Sequence, residues 1–596
     1  MKDARILTGA VAASLAILVA APAVSQPTPD SVRPEKAWVA ESNRFTRQLT
    51  SVEFAHTPEA GSQQGIAQYD TQISRPTRAD ELAERHELEA VIAKLKAERP
   101  KVQDPNVAED LDIIFKAFDL QFRRQDFSLK REVPFMNASS FVFQGLRTLL
   151  DSQVAAERRA AAVTRLRKYA GLEPGYAQIT DELKQRAIEQ FGKPDVFYPS
   201  KGEMETELSR NPRYLQGIEK LYKKYHLTGW EKPFARLKTE LADYDAWLRA
   251  NVLPKARADF RLPPEQYALA FEGYGIDIPP SQIAALAHTA FKQYQSQMAP
   301  IAAQVAAARG FPSNDYRAVI AQLKKTQITG EDILPFYEKR LHEIEKIIAE
   351  HRLVTLPDRP AIIRIATAAE TAQEPAPHME PPPLLHNTGQ RGTFVLPLNG
   401  PAAADGAQDR YDDFSFDAVS WTMIAHEARP GHELQFDSMV EHGVSLARAL
   451  FAFNSTNVEG WGLYAEYIMQ PYEPPDGQLL TLQFRLLRAA RAFLDPELQS
   501  GAITPAQAYD VLEKDVMLSH AMAREEVERF TYRAPGQANS YFYGYTRLLS
   551  LRQEVEAALG PKFKAQKFHD FILGQGLLPP DLMRKAALQD FVPSQS

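Results

Sequence analysis

The chain of 596 residues contains no cysteine. This absence excludes disulfide bonds, thiolate metal ligands, a cysteine nucleophile and the lipid-modified cysteine of a lipoprotein. A metal site in this chain would therefore need nitrogen and oxygen ligands, which histidine and carboxylate side chains provide.

An excess of positive charge is also missing. Lysine and arginine number 69 against 76 aspartate and glutamate residues, so the formal net charge is -7 and the pI is about 6.1. Because no sustained Lys/Arg cluster is present, we expect no nucleic-acid partner. The apolar share of 44% and the charged share of 24% are typical of a soluble globular protein, and the length predicts two or more domains.

Long hydrophobic runs are scarce, and the one near the start has the layout of a secretory signal peptide. Lys2 and Arg5 precede an apolar run from Ile6 to about Val24, and a polar, proline-rich stretch follows. We expect a cleaved signal peptide at residues 1–25, a periplasmic location and no stable membrane insertion after cleavage. An uncleaved membrane anchor is the alternative.

Helical periodicity dominates the rest of the chain. Residues 26–76 predict a polar N-terminal extension with limited helix, residues 77–275 a helical N-terminal lobe, and residues 276–596 the region with the candidate catalytic motif. Within the last region, one long helix is predicted to start after Pro280 and to stop near Gly310.

A small sheet is predicted just before the candidate motif. Two short β-rich stretches flank a proline-rich loop, and we expect one strand at Phe394–Leu398. Pro397 cannot donate a ladder hydrogen bond, so its presence favours an edge position. An edge strand here could pair with the backbone of an extended substrate.

The stretch "HEARPGHELQ", from His426 to Gln435, resembles a zinc motif with altered spacing. In the HExxH pattern the second histidine follows the first by four residues, and the glutamate between them acts as general base. Here Glu427 is in place, but the next histidine is His432, six residues after His426. On an unbroken helix this step rotates by roughly 600°, which would point the two rings apart.

Pro430 and Gly431 indicate that the helix is not continuous. The proline ring would clash with the carbonyl of His426, and glycine permits backbone angles that other residues avoid. The motif is two residues longer than the usual spacing, and Pro430 and Gly431 account for this difference. We therefore expect them to loop out and to bring His432 beside His426. The alternative is that a helix ends at Pro430 and that the histidines are unrelated.

A second element, "NVEGWGLYAEYI", follows about thirty residues later. Glu459 and Glu466 are seven residues apart and therefore share one face of a predicted helix. A carboxylate on an apolar helix is costly unless it is paired or ligated. Glu459 is the natural third metal ligand, and Glu466 could orient a ligand histidine. The alternative is an amphipathic helix with two solvated glutamates.

A third element, "PGQANSYFYGYTRLLSLR", predicts a helix rich in tyrosine. Tyr541, Tyr543 and Tyr545 cannot all face the same way, and a phenol directed at a developing oxyanion would assist acyl transfer. Tyr541 is the candidate for this role and His520 is the second choice. Packing of the tyrosines in a core is the alternative.

Together, "HEARPGHELQ", "EGWGLYAE" and "PGQANSYFYG" resemble the bacterial DUF885 family, whose signature is HExxPGHxLQ followed by EGWALYxE. The resemblance implies a mainly α, multi-helix, metallopeptidase-like fold, with a helical N-terminal lobe and a small β-sheet next to the HExxPGH helix. The family is grouped with the gluzincin zinc metallopeptidases, which implies zinc as cofactor. The motif positions imply the following roles: His426, His432 and Glu459 as ligands, Glu427 as base, and Glu466 and Gln435 as supporting residues.

This sequence departs from the family pattern at a few positions. Gly462 stands where alanine is usual, Glu433 where a second histidine is common, and Phe542 where lysine is common. None of these changes removes a proposed ligand.

We therefore expect a zinc-dependent peptidase that hydrolyses short peptides through a metal-activated water. Two alternatives stay open. One is a zinc-dependent amidase acting on a non-peptide or cell-wall-derived amide. The other is a helical binding protein whose site is degenerate.

Overall fold

A computed structural model of the chain describes residues 36–398 and 411–595. The predicted signal peptide, residues 1–25, lies outside the described residues. The fold is mainly α with one small sheet, as predicted. None of the described helices is both long enough and apolar enough to cross a membrane.

The helices of the first half carry the labels α1 to α16 in chain order. Their bounds are α1 Ala37–His56, α2 Pro58–Gln63, α3 Arg78–Glu98, α4 Pro105–Arg131, α5 Ala138–Arg147, α6 Ala156–Arg159, α7 Ala161–Tyr169, α8 Ile179–Ile188, α9 Lys201–Ser209, α10 Asn211–Lys224, α11 Glu231–Asn251, α12 Pro264–Gly273, α13 Pro280–Arg309, α14 Tyr316–Leu323, α15 Ile333–His351 and α16 Ala368–Gln373.

The helices of the second half surround the candidate motif. Their bounds are α17 Val419–Glu427, α18 His432–His442, α19 Ser455–Met469, α20 Pro475–Ser500, α21 Pro505–Asp510, α22 His520–Glu528, α23 Asn539–Leu559, α24 Ala565–Gly574, α25 Pro580–Ala586 and α26 Val592–Gln595. Short 3₁₀ and π turns connect several of them, including a π turn at Arg529–Arg533 that follows α22.

Helix α1 corrects the prediction of limited helix within residues 26–76. Its apolar residues Phe45 and Leu49 pack against α3 and α4 in a buried cluster. The helix also buries polar side chains on the same face, and one of them, Ser42, donates to Asp110 at 2.6 Å. A polar residue in a sequence is normally interpreted as solvent-exposed. Because this helix buries several polar residues, its sequence lacks a strong apolar periodicity.

The largest buried cluster among the described residues is built around two long helices. Helix α13 packs along α20, and their buried residues join those of α17, α19 and α23 in one apolar cluster. A separate cluster joins α5, α7, α10 and α11. The predicted helix between Pro280 and Gly310 is confirmed as α13, which ends where Gly310 adopts a left-handed conformation with φ of 67°.

The three strands are β1 Ile362–Ile365, β2 His378–Glu380 and β3 Thr393–Leu396, in the order β1-β3-β2. Strand β3 pairs with β1 in parallel and with β2 antiparallel, with Phe394 opposite both Ile363 and Met379. The predicted edge position of Phe394–Leu398 is therefore wrong. Pro397 follows the strand instead of lying within its ladder, so it removes no hydrogen bond from the sheet.

Candidate metal centre

The helix is interrupted within the motif. Helix α17 ends at Glu427 and α18 begins at His432, with a cis peptide bond between Arg429 and Pro430. The carbonyls of Pro430 and Gly431 face the indole of Trp461 in α19, which donates to them at 2.9 and 3.2 Å. The predicted loop at Pro430–Gly431 is present in the structure, and its carbonyl oxygens have a buried donor.

Gly431 is needed because the loop folds back onto α17. A Cβ atom at this position would overlap the carbonyl oxygens of Ala425 and His426. No rotation of a side chain can relieve such a clash, since both partners are backbone atoms of the preceding helix. Glycine is therefore the residue that allows α18 to start close to the end of α17.

The loop brings the two predicted histidine ligands together with Glu459. The Nε2 atoms of His426 and His432 are 3.1 Å apart. Oε2 of Glu459 lies 3.4 Å from Nε2 of His426 and 3.3 Å from Nε2 of His432. The three residues form a group whose ligand atoms all lie within 4.8 Å of one another.

The tautomer of His426 fits metal binding. Its Nδ1 lies 2.8 Å from Oε1 of Glu466, and an ionised carboxylate can only accept a hydrogen bond. In the neutral, metal-binding form of the ring Nδ1 therefore carries the proton, which leaves the lone pair of Nε2 for a cation held with the other two candidate ligand atoms. Oε2 of Glu459 is buried and has no well-formed hydrogen bond with residues 36–398 or 411–595. Two imidazole nitrogens and one carboxylate oxygen are a donor set that suits zinc.

Burial and charge act against each other in this cluster. Burial disfavours the imidazolium, but the nearby carboxylates of Glu459 and Glu466 outweigh it and raise the pKa of His426 to about 9. Burial also opposes ionisation of Glu459, yet its two histidine neighbours hold the pKa of that carboxyl well below its usual range. Without a metal, the raised pKa of His426 favours a positive charge on this ring beside the ionised Glu459, and a cation would replace that charge.

Glu427 lies next to this group at the end of α17. Burial raises the pKa of its carboxyl above the usual range, although the neighbouring histidines lower it in part. No described side chain forms a hydrogen bond with this carboxylate. A buried carboxylate with a raised pKa beside a ligand cluster is the arrangement that a general base needs near neutral pH.

Helix α19 is placed by close backbone contact with α23. A Cβ on Gly544 would lie 2.8 Å from Cα of Gly460 and would overlap the carbonyl oxygen of Thr456. Because both helices have glycine at the crossing, their backbones touch. Glu459 on α19 and Tyr541 on α23 flank this crossing, so the contact sets the distance between them.

Tyr541 is brought to the cluster. Its ring stacks on that of His426, with centroids 6.3 Å apart and an interplanar angle of 18°. Arg529 Nη1 donates to its hydroxyl at 3.2 Å. Burial and the charge of Glu459 raise the pKa of its phenol, so the group is a neutral donor at ordinary pH.

His520 is not brought to the cluster. It stands at the start of α22 with 68% of its side chain exposed, and its Nδ1 lies 2.7 Å from Oε1 of Glu513. Its ring stacks on Tyr509. Of the two predicted candidates for oxyanion support, the geometry favours Tyr541.

The two predicted supporting residues have different positions. Glu466 contacts the ring of His426 directly, as described above. Gln435 donates from Nε2 to Asn457 Oδ1 at 2.9 Å, and Asn457 in turn donates to the carbonyl of Leu578 at 2.7 Å. Gln435 thus connects α18 to α19, and it fixes the helices that carry His432 and Glu459.

Further residues of the site were missed by sequence reasoning. Arg488 on α20 contacts Glu466, with Nη2 3.2 Å from Oε1, and keeps that carboxylate ionised. His378 on β2 lies close enough to lower the pKa of Glu427. Arg429, in the loop, donates to Glu433 and Glu345 at 2.8 Å. Neither His378 nor Arg488 belongs to a motif, so no local pattern indicated them.

A cavity of about 1260 Å³ reaches the cluster, with Glu459 in its wall. Helices α1, α4 and α12 line one side of it, and the start of α19 together with α25 lines another. Its volume exceeds the roughly 300–1,000 Å³ of pockets for drug-sized ligands. The cavity therefore has room for a ligand larger than a single metabolite beside the carboxylate of Glu459.

Fold and site together define a mainly helical protein with a His-His-Glu candidate metal centre at the edge of a large cavity. The model of the DUF885 family, described as bacterial proteins of unknown function, matches residues 58–586. The chain belongs to this family. No curated protein matches the chain.

Two solved structures are similar over nearly the whole chain. A putative lipoprotein of unknown function from Shewanella oneidensis is 19% identical, has a TM-score of 0.68, and the match covers 93% of this chain and 100% of that one. A putative lipoprotein from Colwellia psychrerythraea is 17% identical, has a TM-score of 0.74, and the match covers 94% and 99%. At these identities the likeness establishes the fold alone.

Proposed function

We propose that the protein is a zinc-dependent peptidase that hydrolyses short peptides, with His426, His432 and Glu459 as zinc ligands. The observation that carries this proposal is the convergence of Nε2 of His426, Nε2 of His432 and Oε2 of Glu459 within 4.8 Å. The backbone loop at Pro430–Gly431 creates this convergence. Such an interruption of a helix beside buried ionisable groups is typical of functional sites.

Zinc bound to these residues would polarise a carbonyl and acidify water, as it does in metallopeptidases. Glu427 takes a proton from the attacking water on its carboxylate and later delivers it to the leaving amine. Burial of Glu427 supports this role because it raises the affinity of the carboxylate for a proton. Tyr541 donates its hydroxyl proton in a hydrogen bond to the oxygen on which negative charge develops.

The sheet offers a second support for a peptide substrate. Strand β3 cannot pair with a substrate, because β1 and β2 occupy its two sides. Strand β2 is at the edge of the sheet, and its His378 lies near Glu427. An extended substrate backbone would therefore run along β2, where it would pass the base.

The cavity supports short peptides over folded proteins. Its walls come from both ends of the described chain, from α1 to α25, so a substrate must enter between them. We also propose that the protein acts in the periplasm, which the basic and then apolar pattern of the first residues favours.

The test of this function is the substitution Glu427→Gln in purified protein loaded with zinc. The amide keeps the shape of the carboxylate but cannot take a proton, so we expect kcat to fall by roughly 10²–10⁴-fold on a peptide library. Zinc content, measured by atomic emission, should stay at one ion per chain, because Glu427 is not a ligand. Undiminished hydrolysis by this variant would contradict the mechanism.

A wild-type protein that binds no zinc and cleaves no peptide would contradict the function itself. Activity on acylated or non-peptide amides alone would show that the same centre serves an amidase.

A further inference from the structure

Three arginine side chains surround the phenol of Tyr541. The guanidinium carbon of Arg491 lies 4.5 Å from the ring centroid, and that of Arg488 lies 5.9 Å from it. Arg529 approaches the hydroxyl itself, with Nη1 3.2 Å from the oxygen. Sequence reasoning assigned no role to these residues, and the proposed mechanism does not use them.

The contact of Arg529 decides what the hydroxyl of Tyr541 can do. A guanidinium has only donors, so it occupies a lone pair of the phenol oxygen and cannot accept the phenol proton. The same Nη1 also donates to Oε1 of Gln537 at 3.2 Å, and Gln537 lines the cavity. The amide of Gln537 also contacts the phenol, so Arg529 and Gln537 together border the hydroxyl, and Arg529 leaves its proton for an acceptor other than the guanidinium.

A buried carboxylate holds the arginines in this arrangement. Glu526 accepts from Nε and Nη2 of Arg491 at 2.7 and 2.6 Å, and its Oε1 lies 3.7 Å from Nη2 of Arg529. Glu526 is fully buried, and its pKa is lowered by the arginines against the opposing effect of burial. Its charge offsets part of theirs and fixes the direction of both side chains.

We infer that Arg529 is a positioning residue for Tyr541: by occupying an acceptor lone pair of the phenol, it directs the hydroxyl proton to the oxyanion of the substrate. This inference rests on the proposed function, since it assigns a direction to the donor that the reaction uses. A donor fixed before the reaction costs no reorganisation when negative charge develops, and such fixed donors are worth most in a buried site.

The experiment compares Arg529→Gln, Arg529→Lys and Tyr541→Phe with the double variant Arg529→Gln/Tyr541→Phe. We expect Tyr541→Phe to lower kcat roughly 10²-fold and Arg529→Gln to lower it roughly 10-fold or more, with KM changed less than about twofold. In the Tyr541→Phe background, Arg529→Gln should have no further effect on kcat, because the two residues act as a unit. Arg529→Lys keeps a cationic donor and should recover part of the loss.

A second readout does not depend on turnover. Binding of a phosphinic peptide, whose anionic oxygen resembles the oxyanion, should weaken in Arg529→Gln by about the same factor as kcat. Zinc content should not change, because Arg529 touches no ligand. The matched control is Arg533→Gln, on the same π turn, where the arginine pairs with Glu525. We expect this variant to lose stability and to keep kcat.

Several outcomes would overturn the inference while the function stands. One is a wild-type kcat in Arg529→Gln. A second is a loss of kcat from Arg529→Gln that is as large in the Tyr541→Phe variant as in the wild-type protein. Loss of zinc in Arg529→Gln would also overturn it, since that result indicates a structural role. A wild-type protein without zinc and without hydrolysis would refute the proposed function, and this inference with it.

Discussion

The ring of His426 is contacted on several sides. Glu466 fixes one nitrogen, His432 and Glu459 approach the other, and Tyr541 lies parallel to the ring. Gly462 leaves room on a further side, where a Cβ would come within 2.6 Å of Cε1. A ring confined on so many sides has one orientation, which saves the entropy of ordering it when a metal binds.

The contact between His426 and Glu466 gives a prediction at this scale. In Glu466→Gln the charge of the acceptor is lost and Arg488 loses its ion-pair partner, so the imidazole becomes a weaker ligand. We expect the affinity for zinc to fall about 10–100-fold, measured by competition with a chelating dye. Glu497→Gln is the control, because it removes the carboxylate from an exposed His–Glu pair at His288. Equal affinities in the two variants would contradict the role of Glu466.

At the scale of elements, the candidate centre depends on how α17, α18, α19 and α23 meet. The loop at Pro430–Gly431 joins the first two, and the glycine crossing joins the last two. Each candidate ligand is close to one of these junctions. The distances among the candidate ligands are therefore set by backbone contacts, which vary less than side-chain rotamers do.

The crossing of α19 and α23 can be tested with Gly544→Ala. The added methyl group must displace the carbonyl of Thr456, so we expect a loss of about 1–3 kcal/mol in the free energy of unfolding. The two helices should also separate, which moves Tyr541 away from Glu459 and lowers kcat. Unfolding in urea and steady-state kinetics measure the two effects.

The control for this crossing is Gly574→Ala at the end of α24, where a Cβ would meet nothing within 4 Å. If Gly544→Ala destabilises the protein no more than Gly574→Ala does, the two backbones are not in contact.

The elements also show what the sequence could and could not predict. The limits of α13 follow from Pro280 and Gly310, and the meeting of His426 with His432 follows from the residues between them. Helix α1 was missed because Ser42 and its neighbours bury polar groups whose partners lie far along the chain. The contacts of Arg488 and His378 were missed for the same reason: they depend on tertiary packing, for which a single sequence has no local signal.

At the scale of the whole molecule, many ionisable side chains are buried away from the centre. Asp495 on α20 is fully buried, and it accepts from the hydroxyl of Tyr267 at 2.8 Å and from the backbone N–H of Gly536 at 2.8 Å. It therefore joins α12 and the turn before α23 to the long helix of the core. Burial raises the pKa of Asp495 to about 8, although its hydrogen bonds lower it in part.

This shift predicts how Asp495 makes stability depend on pH. The folded protein keeps the proton on Asp495 up to a pH of about 8, whereas the unfolded chain releases it near its usual pKa of 3.8. The folded state thus binds more protons between these values, and stability falls as pH rises, by about 1.4 kcal/mol per pH unit from this group. The contribution is complete below the unfolded pKa and is lost as pH rises through the folded one.

Asp495→Asn should remove this dependence, because the amide resembles the neutral acid and does not titrate. We expect the variant to gain stability relative to the wild type as pH rises from 4 to 8, measured by urea unfolding at each pH. A difference between the two proteins that stays constant across this range would show that Asp495 does not carry the shift.

The hydrogen bonds from the indole of Trp461 to the carbonyls of Pro430 and Gly431 have a consequence for recognising similar candidate metal centres in other sequences. A sequence-pattern search that requires the second histidine to follow the first by four residues does not detect this chain. This molecule has in addition a tryptophan two positions after Glu459, the candidate third ligand, and its indole binds the two-residue insertion that the shorter pattern lacks. A search pattern that requires this tryptophan and allows a variable spacing between the two histidines would therefore find relatives of this protein.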